Sequence, residues 1–420
     1  VSSAASQLSI AALLLSFSVG VAMLIGCSGA PPRPPDAERR VPVDTGTTPA
    51  PGAGLPAPPP AVVVPTPSEI AGTRFVRVLL TGGLAKVVLE GDTVRLWGSD
   101  GRLEAESSGR VTLSAVGERI RWNETRLMGG SLDAAGVPEL KVAGRRVGGR
   151  VRVIARRGTL LAVAVVPIET YVAAVVSREA PPKFFPEALK AMAVAVRTYA
   201  VGMSRTPRNP DYDMVASVED QVFEGVDDVA PPFREAVEAT RGEVALYRGV
   251  PARTVYHSTC GGRTESAANA WGGKDVPYLH DQPCEDCSGS PAYRWEYRMS
   301  AKEGHRVAQV LGIRPGKDLW FSVVAWSSTG RASRVRIASS GVSREVSAAE
   351  FRKAVGYARL RSLKMEISAA ADGWIFRGQG YGHGVGMCQY GADGMARAGM
   401  GYREILARYY PGLRIAMESP

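Results

Sequence analysis

Ser177 to Ala200 reads SREAPPKFFPEALKAMAVAVRTYA, and its two halves arrange a pair of helices around one carboxylate. Proline suits the first turn of a helix and stops one that runs into it. Pro167 at one end, with Pro181 and Pro182 at the other, therefore brackets a short helix over Ile168 to Glu179. On that helix Val172, Val175 and Val176 share a face with Glu179, because helical neighbours recur three, four and seven residues apart. Burial beside valines and the negative end of the helix dipole both disfavour a further negative charge, so the Glu179 carboxyl is predicted to hold its proton above the usual range. A carboxylic acid protonated near neutral pH is what general acid catalysis requires. Pro186 opens a second helix that runs through Met203, with Leu189, Met192, Ala193 and Val196 as its apolar stripe and many alanines that permit close packing. Lys190 and Arg197 lie on one side of it, with Tyr199 nearby. Spacing alone is equally satisfied by a surface glutamate followed by an ordinary core helix.

Upstream, residues 73–160 carry short apolar runs at 75–80, 85–89, 93–97, 110–113 and 151–154, separated by Gly-rich turns at the close intervals of a small all-β module. The expected fold is α+β. An N-terminal β-rich module (69–160) precedes a mixed α/β catalytic-type domain (161–415). Before both stands an apolar run, Ile10 to Ile25, short for a bilayer span and followed by Gly26-Cys27. It resembles a bacterial lipoprotein signal (1–26) cleaved before Cys27, which then carries lipid. The positive residues usual at the start of such a signal are missing, and an uncleaved anchor helix is the alternative; either exports the chain. Residues 27–68 are rich in Pro, Ala, Gly and Thr, with little to bury, and are expected to form a disordered tether. At ~3 Å per residue, about forty residues reach on the order of 100 Å. The expected location is the cell envelope, on the outer membrane where the bacterium has two, since Ser28 rather than Asp follows the cysteine.

The formal charge of +10 favours anionic partners such as wall polymers, lipopolysaccharide or nucleic acid. Arg145, Arg146, Arg150, Arg152, Arg156 and Arg157 alternate with strand residues and lack an aromatic stacking platform, which argues against nucleic acid and for a solvated strand face.

Toward the C-terminus Gly378, Gly380, Gly382, Gly384 and Gly386 alternate with Gln379, Tyr381, His383, Val385 and Met387. An extended run presents bare backbone on one face and Tyr381 and His383 on the other; the alternative is a loop with unusual dihedrals. Once Cys27 is lipidated, four cysteines remain: Cys260, Cys284, Cys287 and Cys388. Export favours two disulfides, whereas the two-residue spacing of Cys284 and Cys287 favours a four-thiolate zinc site, in which His257 is an alternative ligand. A third arrangement makes Cys388 or Cys260 a nucleophile beside His383 or His257.

Glu179 with the segments that follow it, Tyr256 to Gly262 leading to Trp271-Gly272, and Gly380 to Met387 with Gln389 and Gly391-Ala392, together resemble the stage II sporulation protein D and amidase enhancer family. The three motifs occur in the expected order over roughly residues 150–412. Sporulation members of that family are peptidoglycan lytic transglycosylases, and the resemblance makes Glu179 the catalytic acid; other members enhance amidases. Some sporulation members bind zinc through His and Cys in the segment before a Gln-Val-Phe motif. Here Gln221 and Phe223 match, but residues 205–223 contain neither His nor Cys, so that metal site does not carry over.

The expected function is cleavage of peptidoglycan glycan strands with a single carboxyl and no cofactor required for the chemistry. Hydrolytic glycosidases normally need two carboxylates, and Glu169 and Glu187 are carried away from the face of Glu179 by the predicted helices. Arg197, Tyr199, Gln221, His257, Tyr381, His383 and Gln389 are the candidates for holding sugar or stabilising developing charge. Two alternatives stand beside this reading: a non-catalytic peptidoglycan-binding activator of a cell-wall amidase, and a Cys-His wall peptidase built on Cys388 and His383.

Overall fold

The computed structural model describes residues 73–418 except 218, 227 and 228. The signal, the lipidated Cys27 and the tether lie outside the described residues. Among those described, no helix is long and apolar enough to cross a membrane.

The fold is α+β. The alternating sequence after residue 73 forms one large sheet: β1 (Phe75–Leu84), β2 (Lys86–Gly98), β3 (Leu103–Val116), β4 (Arg119–Trp122), β5 (Arg126–Leu127), β6 (Ser131–Val137), β7 (Leu140–Val142), β8 (Arg145–Val147), β9 (Arg150–Arg156), β10 (Thr159–Pro167) and β11 (Met214–Val215). Their order is β11-β1-β10-β9-β6-β2-β3-β4-β5, with β7 bridging β2 and β8. Runs 85–89 and 93–97, read as separate strands, are one strand, β2, because the pairing with β3 absorbs a register shift between Gly91 and Thr93 and continues. The arginine face is ion-paired: Arg150 and Arg152 meet Asp133, Arg156 meets Asp211 and Arg146 meets Glu139.

β10 leads directly into α1 (Ile168–Glu179), and α2 (Pro186–Arg205) folds back beside it. Pro167 is the N-cap residue of α1 rather than part of its first turn. Every residue of α2 from Leu189 to Val201 except Lys190 is buried, and its alanines let α1, α3 (Pro231–Ala239), α7 (Gln389–Arg397) and α8 (Tyr402–Tyr409) close around it. Burying a Leu or Met side chain contributes roughly 1.5–3 kcal/mol, and the valines and alanines of this bundle share one core with Val76, Val78, Val151, Val153 and Ala164 of the sheet.

Between Cys287 and Cys388 the chain makes an excursion with its own core. Two three-stranded sheets, with α5 (Ala301–Val310) and α6 (Ala348–Val355), enclose Trp295, Phe321, Phe351, Trp374 and Phe376. The short helix α4 (Ala267–Trp271) precedes it. The excursion returns through the glycine ladder, where Gly380, Gly382, Gly384 and Gly386 all have positive φ. The ladder is therefore a loop of unusual dihedrals. At Gly382 an added Cβ would stand 2.7 Å from His257 Cβ, so the bare positions receive the 255–260 backbone.

Candidate functional site

Glu179 closes α1 because Ala180 must be extended (φ −118°, ψ 142°) ahead of Pro181. That stop leaves the carboxyl between α7 and the segment that carries Gln221 and Phe223. Phe223 stacks on Tyr171 of α1, with ring centroids 5.4 Å apart. Tyr171 donates its hydroxyl to Gln221 Oε1 at 2.9 Å. Burial raises the Glu179 carboxyl above its ordinary value of 4.5, against the opposing pull of the Val222 N–H and the Gln389 amide. The direction is the one the sequence predicts, and desolvation is its leading cause.

Tyr256 completes this group. The Glu179 charge adds to burial in raising the Tyr256 phenol, so the two side chains are close enough to sense each other. The Gln389 amide turns to the Glu179 carboxyl and Gln221 to the Tyr256 hydroxyl, but neither contact reaches good hydrogen-bond geometry, so among the described residues Gln221 Nε2, Tyr256 Oη, His257 Nε2 and Gln389 Nε2 are buried without a well-formed partner. Leaving such a group unsatisfied costs about 1–3 kcal/mol, so each calls for an explanation.

His257 and His383 form a second group joined to the first through Tyr256. The His383 ring donates to the Tyr256 carbonyl, and its Nδ1 accepts from the Val385 N–H at 3.0 Å. His257 Nδ1 lies 3.0 Å from the Val385 carbonyl. Trp271 sits 5.2 Å from the His383 ring and Arg253 covers Trp271 at 5.1 Å. Burial lowers both imidazoles, His383 to about 4, with Arg352 adding to the effect there; His383 is therefore neutral at pH 7. Tyr381, next along the ladder, is exposed.

Two sequence candidates belong to the scaffold instead. Arg197 is fully buried and turned to Glu169, with Nη2 2.6 Å from Oε2, and also donates to the carbonyls of Val237 and Glu243. It crosses the bundle, and the carboxylate it meets among the described residues, Glu169, lies in the first turn of α1. Tyr199 gives its hydroxyl to Asp220 at 2.6 Å. Glu187 is held by Lys190 and by the Tyr402 N–H. Sequence reasoning missed Tyr171 and Tyr256. Tyr171 stands eight residues before Glu179, a helical-face spacing that was open to view, and Tyr256 begins the motif that ends in Gly262.

Beside these two groups the four cysteines come together. Cys260, Cys284, Cys287 and Cys388 are all buried, with every pair of sulfurs within 4.8 Å. None is in a disulfide. Their burial and mutual contact leave none of them presented to a substrate, which removes the support for a cysteine nucleophile.

A family model described as stage II sporulation protein (SpoIID) matches residues 156–247, and a domain of unknown function (DUF8618) matches residues 281–386. The chain is similar to an uncharacterized protein of Brachyspira hyodysenteriae, 32% identical over 268 residues that cover 64% of this chain and 71% of the relative. It is 30% identical to stage II sporulation protein D of Bacillus amyloliquefaciens over 268 residues, 60% of this chain and 74% of the relative. The amidase enhancer of Bacillus subtilis is 27% identical over 288 residues, 57% of this chain but 39% of that longer protein.

Proposed function

This chain belongs to the stage II sporulation protein D family, and from that premise we propose that it acts on the bacterial cell wall as a lytic transglycosylase, cleaving peptidoglycan glycan strands with Glu179. The observation that carries the reading is the desolvated carboxyl of Glu179, raised above its ordinary value, among buried polar atoms without well-formed partners. Such atoms match a ligand rich in hydroxyls and amides, which a glycan strand is.

In the proposed reaction Glu179 donates its proton to the glycosidic oxygen as the bond to C1 breaks. The C6 hydroxyl of the same sugar then attacks C1 and returns its proton to Glu179, leaving an anhydro ring with no water consumed. One carboxyl thus serves as acid and then base, and no cofactor enters the chemistry. Among the described residues Glu169 and Glu187, the acidic neighbours of Glu179 in sequence, pair with Arg197 and Lys190, so neither supplies the second carboxylate that a hydrolytic glycosidase uses. Gln221, Tyr256 and Gln389 would hold the sugar at the cleaved bond, and His257, Tyr381 and His383 the strand beyond it. A lipid anchor at Cys27 and the tether would bring this cleft from a membrane to the wall.

The second reading, activation of a cell-wall amidase, is favoured by the similarity to the amidase enhancer. Incubation of the purified chain with purified sacculi, followed by mass analysis, separates the readings. Anhydro-ended fragments support the transglycosylase. Fragments with hydrolysed reducing ends contradict it, and no release without an added amidase favours the activator.

A further inference from the structure

We propose that Cys260, Cys284, Cys287 and Cys388 bind one zinc ion as a tetrathiolate that clamps the base of the excursion to the cleft. The proposal concerns the thiols alone and stands whether or not the chain cleaves glycan.

The arrangement is that of a single-ion site. With Zn–S bonds of about 2.3 Å, a tetrahedral site places its sulfurs about 3.8 Å apart. Here all four sulfurs lie within 4.8 Å of one another, and Cys260 Sγ and Cys287 Sγ are 3.4 Å apart. That spacing is too tight for an iron–sulfur cluster, whose inorganic atoms must fit among the thiolates. The ligands come from three separate segments, with Cys284 and Cys287 forming the two-residue knuckle common in structural zinc sites.

Donors and cations surround the sulfurs. Cys388 Sγ accepts from the backbone N–H groups of Cys260 and Gly391, each at 3.3 Å. A zinc tetrathiolate carries a net charge of −2, and two cations stand beside this one. Arg331, itself buried, donates to the Cys260 carbonyl at 2.7 Å, and Lys364 Nζ donates to the Gly261 carbonyl at 2.7 Å. Both cations belong to the excursion. Charge balance at the metal would therefore also fasten the excursion to the motif that contains His257. Cys388 is the N-cap residue of α7, immediately before Gln389, so the same ion would fix the helix end that faces Glu179.

The test is metal and thiol analysis of the full chain purified without chelator, with Cys27→Ala introduced so that only these thiols are counted. About one zinc per chain is expected by elemental analysis, with the thiols silent toward a chromogenic disulfide reagent until a chelator and denaturant are added. Replacement by cobalt should give the intense charge-transfer bands of a tetrahedral tetrathiolate. Lys364→Ala, which leaves every ligand in place, should weaken zinc retention against a competing chelator by about tenfold, the scale of outer-shell partners. Cys287→Ser should weaken it further; if that variant fails to fold, the cobalt spectrum and the Lys364→Ala competition decide the matter. Zinc-free protein with freely titrating thiols, iron in the place of zinc, or a mass that shows two disulfides would overturn the assignment.

Discussion

Glu179 and the thiol corner meet on adjacent residues of one helix end, yet the two regions are built by opposite means. Gln389 faces the carboxyl, and Cys388, the residue before it, turns into the sulfurs. The carboxylate side is framed by α1 and α2, long apolar surfaces whose burial holds Glu179 in place. The thiol side is assembled from the 255–262 segment, the knuckle and the glycine ladder, which share short bridges such as Tyr256 with Met387 and Thr259 with Tyr381. Helix packing supplies rigidity to the first. The second has close backbone approach and little regular structure, so a cross-link through sulfur is the device that fits it.

Substitutions on the two sides break this contrast in different ways. The two largest expected effects are of similar size, one on each side. Gly386→Ala would place a methyl against the Val255 carbonyl oxygen at a φ of +69°, so it should cost several kcal/mol, about 3 or more, and lower the melting temperature markedly. Arg197→Ala breaks the carboxylate side by leaving Glu169 without its buried partner. A loss of about 3–5 kcal/mol is expected in denaturant unfolding, with little change in the nature of the products if the protein is assayed where it remains folded. Preserved stability in Arg197→Ala would mean the helix bundle does not rely on that pair.

Tyr256→Phe sharpens the comparison at the boundary. It removes a buried hydroxyl that has no good partner, so stability should hold or rise by up to about 1 kcal/mol. Under the proposed reaction, glycan cleavage should fall by about tenfold, read in kcat/KM, because the hydroxyl would hold the sugar at the cleaved bond. Unchanged kinetics would take Tyr256 out of the cleft.

The smallest effect is electrostatic. The folded Glu179 carboxyl titrates above its ordinary 4.5, so the folded state binds the proton more tightly than the unfolded chain. Its contribution to stability is fully present below pH 4.5 and is lost as pH rises through the folded value. Glu179→Gln cannot lose that proton, so its unfolding free energy should exceed that of the unsubstituted chain at pH 7 and the gap should narrow on acidification. A gap of constant size would mean the carboxyl is not perturbed.

Much of the carboxylate side was legible in the sequence. Prolines mark both ends of α1 and the start of α2, and the valine spacing points Glu179 inward, where burial raises its carboxyl. Local signals suffice there because each helix is a contiguous pattern. Arg197 shows the limit: its position on a stripe says nothing of which carboxylate lies across the core, and the partner is set by how α1 packs on α2. The glycine ladder was visible as a pattern but not as a conformation, since alternation suits both a strand and a left-handed loop, and the contact that decides it comes from residues over a hundred positions upstream. The second core around Phe351 and Phe376 was hidden for the same reason. The thiols were countable, but their meeting depends on three segments closing together.

Mass analysis of fragments released from purified sacculi by folded Glu179→Gln protein, run beside the unsubstituted chain, tests the central claim that Glu179 is the proton donor. The account predicts anhydro-ended fragments from the unsubstituted chain and at least ~100-fold slower release from the variant, the usual scale of general acid catalysis. Release at an equal rate by a folded Glu179→Gln chain would contradict it.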